Sequence, residues 1–128
     1  MAETKLNLTA KDIRIFVPAM DFEQSLRFYT LLGWEQKYND GNLAELELAD
    51  CRFWLQNFYV KDWANNFMLQ VSVEDSQAWY DHVSKILDEE NFDHARLNPP
   101  KKEEYGAITT PVWDPSGVLI YFSQYLDE

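Results

Sequence analysis

Residues 16–34 read FVPAMDFEQSLRFYTLLGW, and residues 66–83 read NFMLQVSVEDSQAWYDHV. Both pass from an apolar strand-like run, through an aspartate, into the periodicity of an amphipathic helix. Ahead of the first helix, Ile13, Ile15 and Val17 alternate with Arg14 and Phe16 as far as Pro18, which is the period of a strand. Asp21 with Gln24 three residues on has capping-box spacing. Phe22, Leu26, Tyr29 and Leu32 share one helical face, and Gly33 suits the position just past the helix end. In the second stretch 67–73 reads as a strand and Asp75 as the helix cap, with Ala78, Trp79, Val83, Ile86 and Leu87 as the apolar stripe. The pair Phe28-Tyr29 returns 51 residues later as Trp79-Tyr80.

The segments C-terminal to the two helices also correspond. After the first, 34–38 reads as a strand, NDGN at 39–42 as a hairpin turn, and 43–48 and 51–58 as two more strands around Ala49-Asp50. Phe53 and Leu55 fall on one face of the last strand, and Trp54, Gln56 and Phe58 on the other. The segment YVKDWANN at 59–66 is a connection. After the second helix, 94–97 reads as a short strand and 98–102 as a loop. Strands at 105–113 and 118–125 then flank the turn Asp114-Pro115-Ser116-Gly117. The pattern predicts one domain, 1–128, of two β-α-β-β-β modules at about 10–60 and 65–126. The expected class is α+β: a curled mixed sheet with a concave groove and the helices on its outer face.

Composition narrows the partners. The 128 residues carry Lys+Arg 11 against Asp+Glu 22, a formal net charge of -11. Such a field repels nucleic acid and anionic membranes and attracts cations. Aromatic residues reach 16%, more than a small core needs, which leaves several for a pocket or an interface. The stretch MAETKLNLTA has no apolar secretory core, no run is long enough to span a bilayer, and Cys51 stands alone. A cytoplasmic domain is the expectation.

Catalytic constellations are thin. Cys51 adjoins Arg52 with no histidine nearby in sequence, and reads as a small buried or half-buried residue. Glu45 and Glu47 alternate onto one strand face, either lining a pocket, where one could serve as a base, or facing solvent. The only histidines are His82, on the second helix, and His94 beyond it.

The stretches at 16–34 and 66–83, with YGAITTPVWDPSGVLIYFSQ at 105–124, resemble the vicinal oxygen chelate superfamily, the glyoxalase and bleomycin-resistance group. In its enzymes, the resemblance implies, a divalent metal is held by His, Gln or Glu from the first and last strand of each module. Here those positions fall at Asp12 or Arg14, near Gln56, near Met68 and near Tyr121, a poor donor set for such an ion. No metal, no other cofactor and no catalytic residue is therefore expected.

The resemblance is strongest to bleomycin-resistance proteins, dimers that sequester a flat drug in aromatic grooves at their interface. Tyr105, before Gly106, matches a Trp of that group, and Tyr38, five residues after Gly33, matches a Phe. Trp54, Phe58 and Trp63 join the candidate ligand-binding residues from strand parity and loop position, and Tyr121 from its closing-strand position. The expectation is a homodimeric binding protein for a small flat cation, possibly of the bleomycin type. The alternatives are a metal-dependent lyase, isomerase or dioxygenase of the superfamily, and an interaction domain whose aromatics serve dimerisation alone.

Overall fold

The structure is a computed structural model, and it describes residues 6–126. Module one consists of β1 (Phe16–Pro18), α1 (Phe22–Leu32), β2 (Glu35–Asn39), β3 (Leu43–Leu48) and β4 (Cys51–Gln56). A short helix, α2 (Lys61–Asn65), lies in the connection that read as a loop. Module two consists of β5 (Met68–Ser72), α3 (Ser76–Glu89), β6 (Arg96–Leu97), β7 (Lys101–Glu103), β8 (Ala107–Trp113) and β9 (Leu119–Tyr125).

The repeat read from the sequence is a repeat in space. In module one the strand order is β1-β4-β3-β2, with β1 parallel to β4 and the other pairs antiparallel. Module two repeats it as β5-β9-β8-β6, with β5 parallel to β9 and β7 also pairing with β8. Each module thus forms its own mixed sheet, where the sequence suggested one curled sheet. Both helix caps are as expected, Asp21 accepting from Gln24 N at 3.1 Å and Asp75 from Ala78 N at 3.0 Å. Gln24 does not close a capping box. Its carboxamide instead reaches Asp93 of module two, by 3.2 Å to the carboxylate and 2.6 Å from the backbone N–H.

Three further readings change. β1 is shorter than the Ile13–Val17 alternation suggested, and Ile13 is exposed, because the β1 pairing with β4 covers only 16–18. Residues 101–103 pair with β8 instead of looping. Cys51 is exposed, since it begins β4 directly after the Ala49-Asp50 turn of the β3–β4 hairpin. His82, by contrast, docks on the end of α1, its Nε2 3.0 Å from the Leu32 carbonyl.

The helices pack on the inner strands of their sheets and on each other. Around α1 the core is aromatic: Phe28 meets Phe92 edge-on at 5.3 Å, and Phe53 lies 5.0 Å from Tyr29 and 4.9 Å from Trp34. In module two Trp79 stacks flat on Phe122 at 4.3 Å.

A buried polar cluster joins the modules. The Tyr29 hydroxyl donates to Asp114 at 2.7 Å, while the other carboxylate oxygen accepts from the N–H groups of Ser116 and Val118. Ser116 Oγ accepts from Met20 N at 2.8 Å and lies 3.2 Å from Ser25 Oγ. Burial pushes the Asp114 carboxyl up to about 6, although the Tyr29 hydroxyl and the turn N–H groups pull the other way. The same burial, reinforced by the Asp114 charge and hydrogen bond, raises the Tyr29 phenol well above its usual range.

Candidate functional site

Strand alternation gives each sheet a face turned away from its helix. On module one, Phe16, Trp54, Glu45 and Tyr38 are register partners across β1, β4, β3 and β2, so they form a row across the whole sheet. Trp54 lies at the middle of the aromatics, 6.4 Å from Phe16 and 6.2 Å from Tyr38. The Arg14 guanidinium sits 5.6 Å from the Trp54 ring centre. The Tyr38 hydroxyl donates to Asp40 at 3.0 Å, which raises its pKa and fixes the ring with 48% of its surface exposed.

Charges on this face are paired in sequence. Asp12 meets Arg14, Arg14 meets Glu45, Arg52 reaches Glu45 and Glu47, and Lys37 bridges Glu47 and Glu35. Four carboxylates oppose three cations, so the ladder carries a net charge of −1. Glu45 and Glu47 do share a face, as their alternation indicated, but both are ion-paired and neither is a free base.

The middle of the module-two face is built from amide, hydroxyl and phenol groups. Gln70 on β5 is the register partner of Tyr121 on β9, and Pro111 on β8 is the next in line. The Tyr125 hydroxyl donates to Gln70 Oε1 at 3.2 Å, and Gln70 Nε2 donates to Ser123 Oγ at 3.3 Å. Ser123 continues to Thr109 at 2.9 Å and Thr109 to the Tyr105 hydroxyl at 2.9 Å. This chain anchors two phenols whose rings stand 6.0 Å apart, each 50% exposed. Met68, Gln70, Tyr105, Tyr121 and Tyr125 line a shallow depression of about 530 Å³.

The candidate residues therefore fall into three groups. Tyr38 and Trp54 come together on the first sheet and Tyr105 and Tyr121 on the second. Phe58 and Trp63 form a separate pair, 6.0 Å apart, with Phe67 5.5 Å beyond Trp63. Phe58 leaves the Trp54 face because the chain turns sharply after β4, Phe58 N bonding back to the Gln56 carbonyl. Tyr125, Gln70 and Phe16 join these faces without having been expected there. Tyr125 lies four residues beyond Tyr121 on one strand face, and Phe16 shares a face with Arg14, so alternation held the signal for both.

The positions that the resemblance assigns to metal ligands carry Asp12, Arg14, Gln56, Met68 and Tyr121. Among the described residues no three His, Cys, Asp or Glu side chains gather in a metal-binding cluster. No helix among them is long and apolar enough to cross a membrane.

Known structures share this architecture. A bleomycin-binding protein solved with bleomycin superposes with a TM-score of 0.77 at 20% identity, over 91% of this chain and 100% of that one. The fold is that of the bleomycin-resistance proteins. An antibiotic-binding protein from Streptomyces sp. CB03234 gives 0.75 at 14% identity, over 94% of this chain and 100% of its own. Lactoylglutathione lyase from Agrobacterium tumefaciens gives 0.67 at 12%, over 91% and 95%. The bleomycin-resistance fold thus serves both binding proteins and an enzyme, which agrees with the resemblance to the vicinal oxygen chelate superfamily. No protein-family profile and no curated protein sequence matches the chain.

Proposed function

We propose that this chain is a non-catalytic binding protein that sequesters a flat, cationic small molecule on its aromatic sheet faces. One observation carries the reading: Tyr38, Tyr105 and Tyr125 are each about half exposed, yet each is held by a hydrogen bond from its hydroxyl. An exposed ring held in place keeps its stacking surface without the entropy loss of ordering it on binding. The neutral amide and hydroxyl floor of module two adds donors and acceptors for orientation. The -11 charge of the chain, more than the nearly balanced ladder of module one, supplies attraction for a cation.

Each face alone is half a site, and the site is completed in a homodimer that sets the module-one face of one chain against the module-two face of its partner. Two features support this arrangement: the 530 Å³ depression is shallow, and the paired aromatics lie on separate sheets. A protein of this kind works in the cytoplasm, where one exposed, unpaired cysteine is tolerated.

The test is titration with metal-free bleomycin, a flat cationic glycopeptide, followed by tryptophan fluorescence and by sedimentation. A dimer that saturates at one ligand per chain is expected. A monomer at micromolar concentration, or no saturable change, overturns the reading. One-per-chain zinc, nickel, manganese or iron in protein purified without chelator would move the assignment to a metal-dependent enzyme.

A further inference from the structure

A cavity of about 830 Å³ lies where the β8–β9 turn of module two meets the segment after β4, and it shares no lining residue with the depression beneath Tyr105 and Tyr125. Lys61, His94 and Arg96 line it together with Tyr59 and Trp113. None of its nine lining residues is acidic, in a chain whose acids outnumber Lys and Arg two to one. We propose that this cleft is a second binding site, for a small anion with a flat apolar body, such as an aryl phosphate or carboxylate.

Several features favour an anion. Among the described residues Lys61, His94 and Arg96 form no ion pair, unlike Arg14, Arg27, Lys37 and Arg52. The Arg96 guanidinium stacks 3.9 Å from the centre of the Trp113 ring, which fixes its plane and leaves its N–H edges free to donate to an oxyanion. His94 has φ 59, a left-handed backbone that costs a non-glycine residue energy and that concentrates at functional positions. Two neighbouring acids are engaged elsewhere: Asp93 is clipped to Gln24, and the oxygens of Asp114 are bonded to Tyr29, Ser116 and Val118.

The net charge does not forbid such a ligand. At physiological salt the screening length is about 8 Å, so distant carboxylates are damped while Lys61 and Arg96, at the cleft itself, are not. Tyr59 and Trp113 supply apolar surface for the body of the ligand, and the basic side chains take its charged end.

The probe is 1-naphthyl phosphate, compared with neutral 1-naphthol and titrated at low and high salt against tryptophan fluorescence. The phosphate is expected to bind at least about tenfold tighter than the naphthol and to lose that advantage at high salt. Arg96→Gln and Lys61→Gln, on separate elements, should each weaken phosphate binding about tenfold with the thermal melt unchanged, while Lys85→Gln on α3 should not. Equal binding of the two probes, indifference to salt, or unchanged affinity in both cleft variants overturns the proposal. The outcome is independent of bleomycin binding, which concerns the tyrosine faces.

Discussion

The two modules share one topology and differ in the chemistry of their open faces. Module one lays Phe16, Trp54 and Tyr38 beside a ladder of alternating charges from Asp12 to Glu35. Module two shows no such ladder and holds its tyrosines over Gln70, Ser123 and Thr109. Their cores differ as well: α1 sits in an edge-to-face aromatic cluster, while α3 relies on the flat Trp79–Phe122 stack. Burial constrains the inner face of a repeat to apolar residues of the right size, while the outer faces are free to diverge.

Truncation of the repeated aromatic pair should test that contrast most strongly. Phe28 is fully buried, so Phe28→Ala is expected to cost about 3–5 kcal/mol in chemical denaturation. Trp79 is only partly buried, and Trp79→Ala should cost less. Equal losses would mean that the modules have equivalent cores.

The clamp between modules ranks next. Tyr29→Phe removes the donor to a buried carboxylate, and a loss of about 1–3 kcal/mol is expected. The clamp should also set a pH dependence. Because the Asp114 pKa rises from 3.8 to about 6 on folding, the native state holds the extra proton between those values. The stability from this group is therefore fully present below pH 3.8 and is lost as pH rises through about 6. Subtracting the denaturation profile of Asp114→Asn from that of the wild type isolates this slope. A difference that stays flat across that window would show that Asp114 ionises as it does in the unfolded chain.

Smaller effects belong to the open faces. Tyr105→Ala should leave the melt nearly unchanged and weaken bleomycin by about 0.5–1.5 kcal/mol, roughly two- to twelvefold. If it melts as early as Phe28→Ala, the ring is part of the core. The smallest change is expected on the module-one ladder. Lys37 and Glu35 are largely exposed, and Lys37→Gln should leave the denaturation midpoint nearly unchanged, with any small difference erased by salt.

Local signals made much of this legible. Alternation in 43–48 and 51–58 located β3 and β4, the latter two residues too long, and sorted Phe53 from Trp54, because a strand sends successive side chains to opposite faces. Aspartate caps located both long helices, since each satisfies a backbone N–H that the helix itself leaves free. β7 was not legible, because residues 101–103 become a strand only by pairing with β8. Nor was the exposure of Ile13 readable, since it depends on how far β4 extends beside it.

The site divides in the same way. Local sequence was enough for the two-module repeat, the Asp-Pro-Ser-Gly turn, the acidic balance and the surplus of aromatics, because periodicity, turn chemistry and charge are properties of neighbouring residues. Only the folded chain pairs Glu45 and Glu47 with cations and parts Phe58 from Trp54. Folding also brings Tyr125 and Gln70 beneath one surface with Tyr105, and gathers Lys61, His94 and Arg96 around one cleft. Those relations join residues distant in the chain, and strand register and packing, which no local pattern encodes, bring them together.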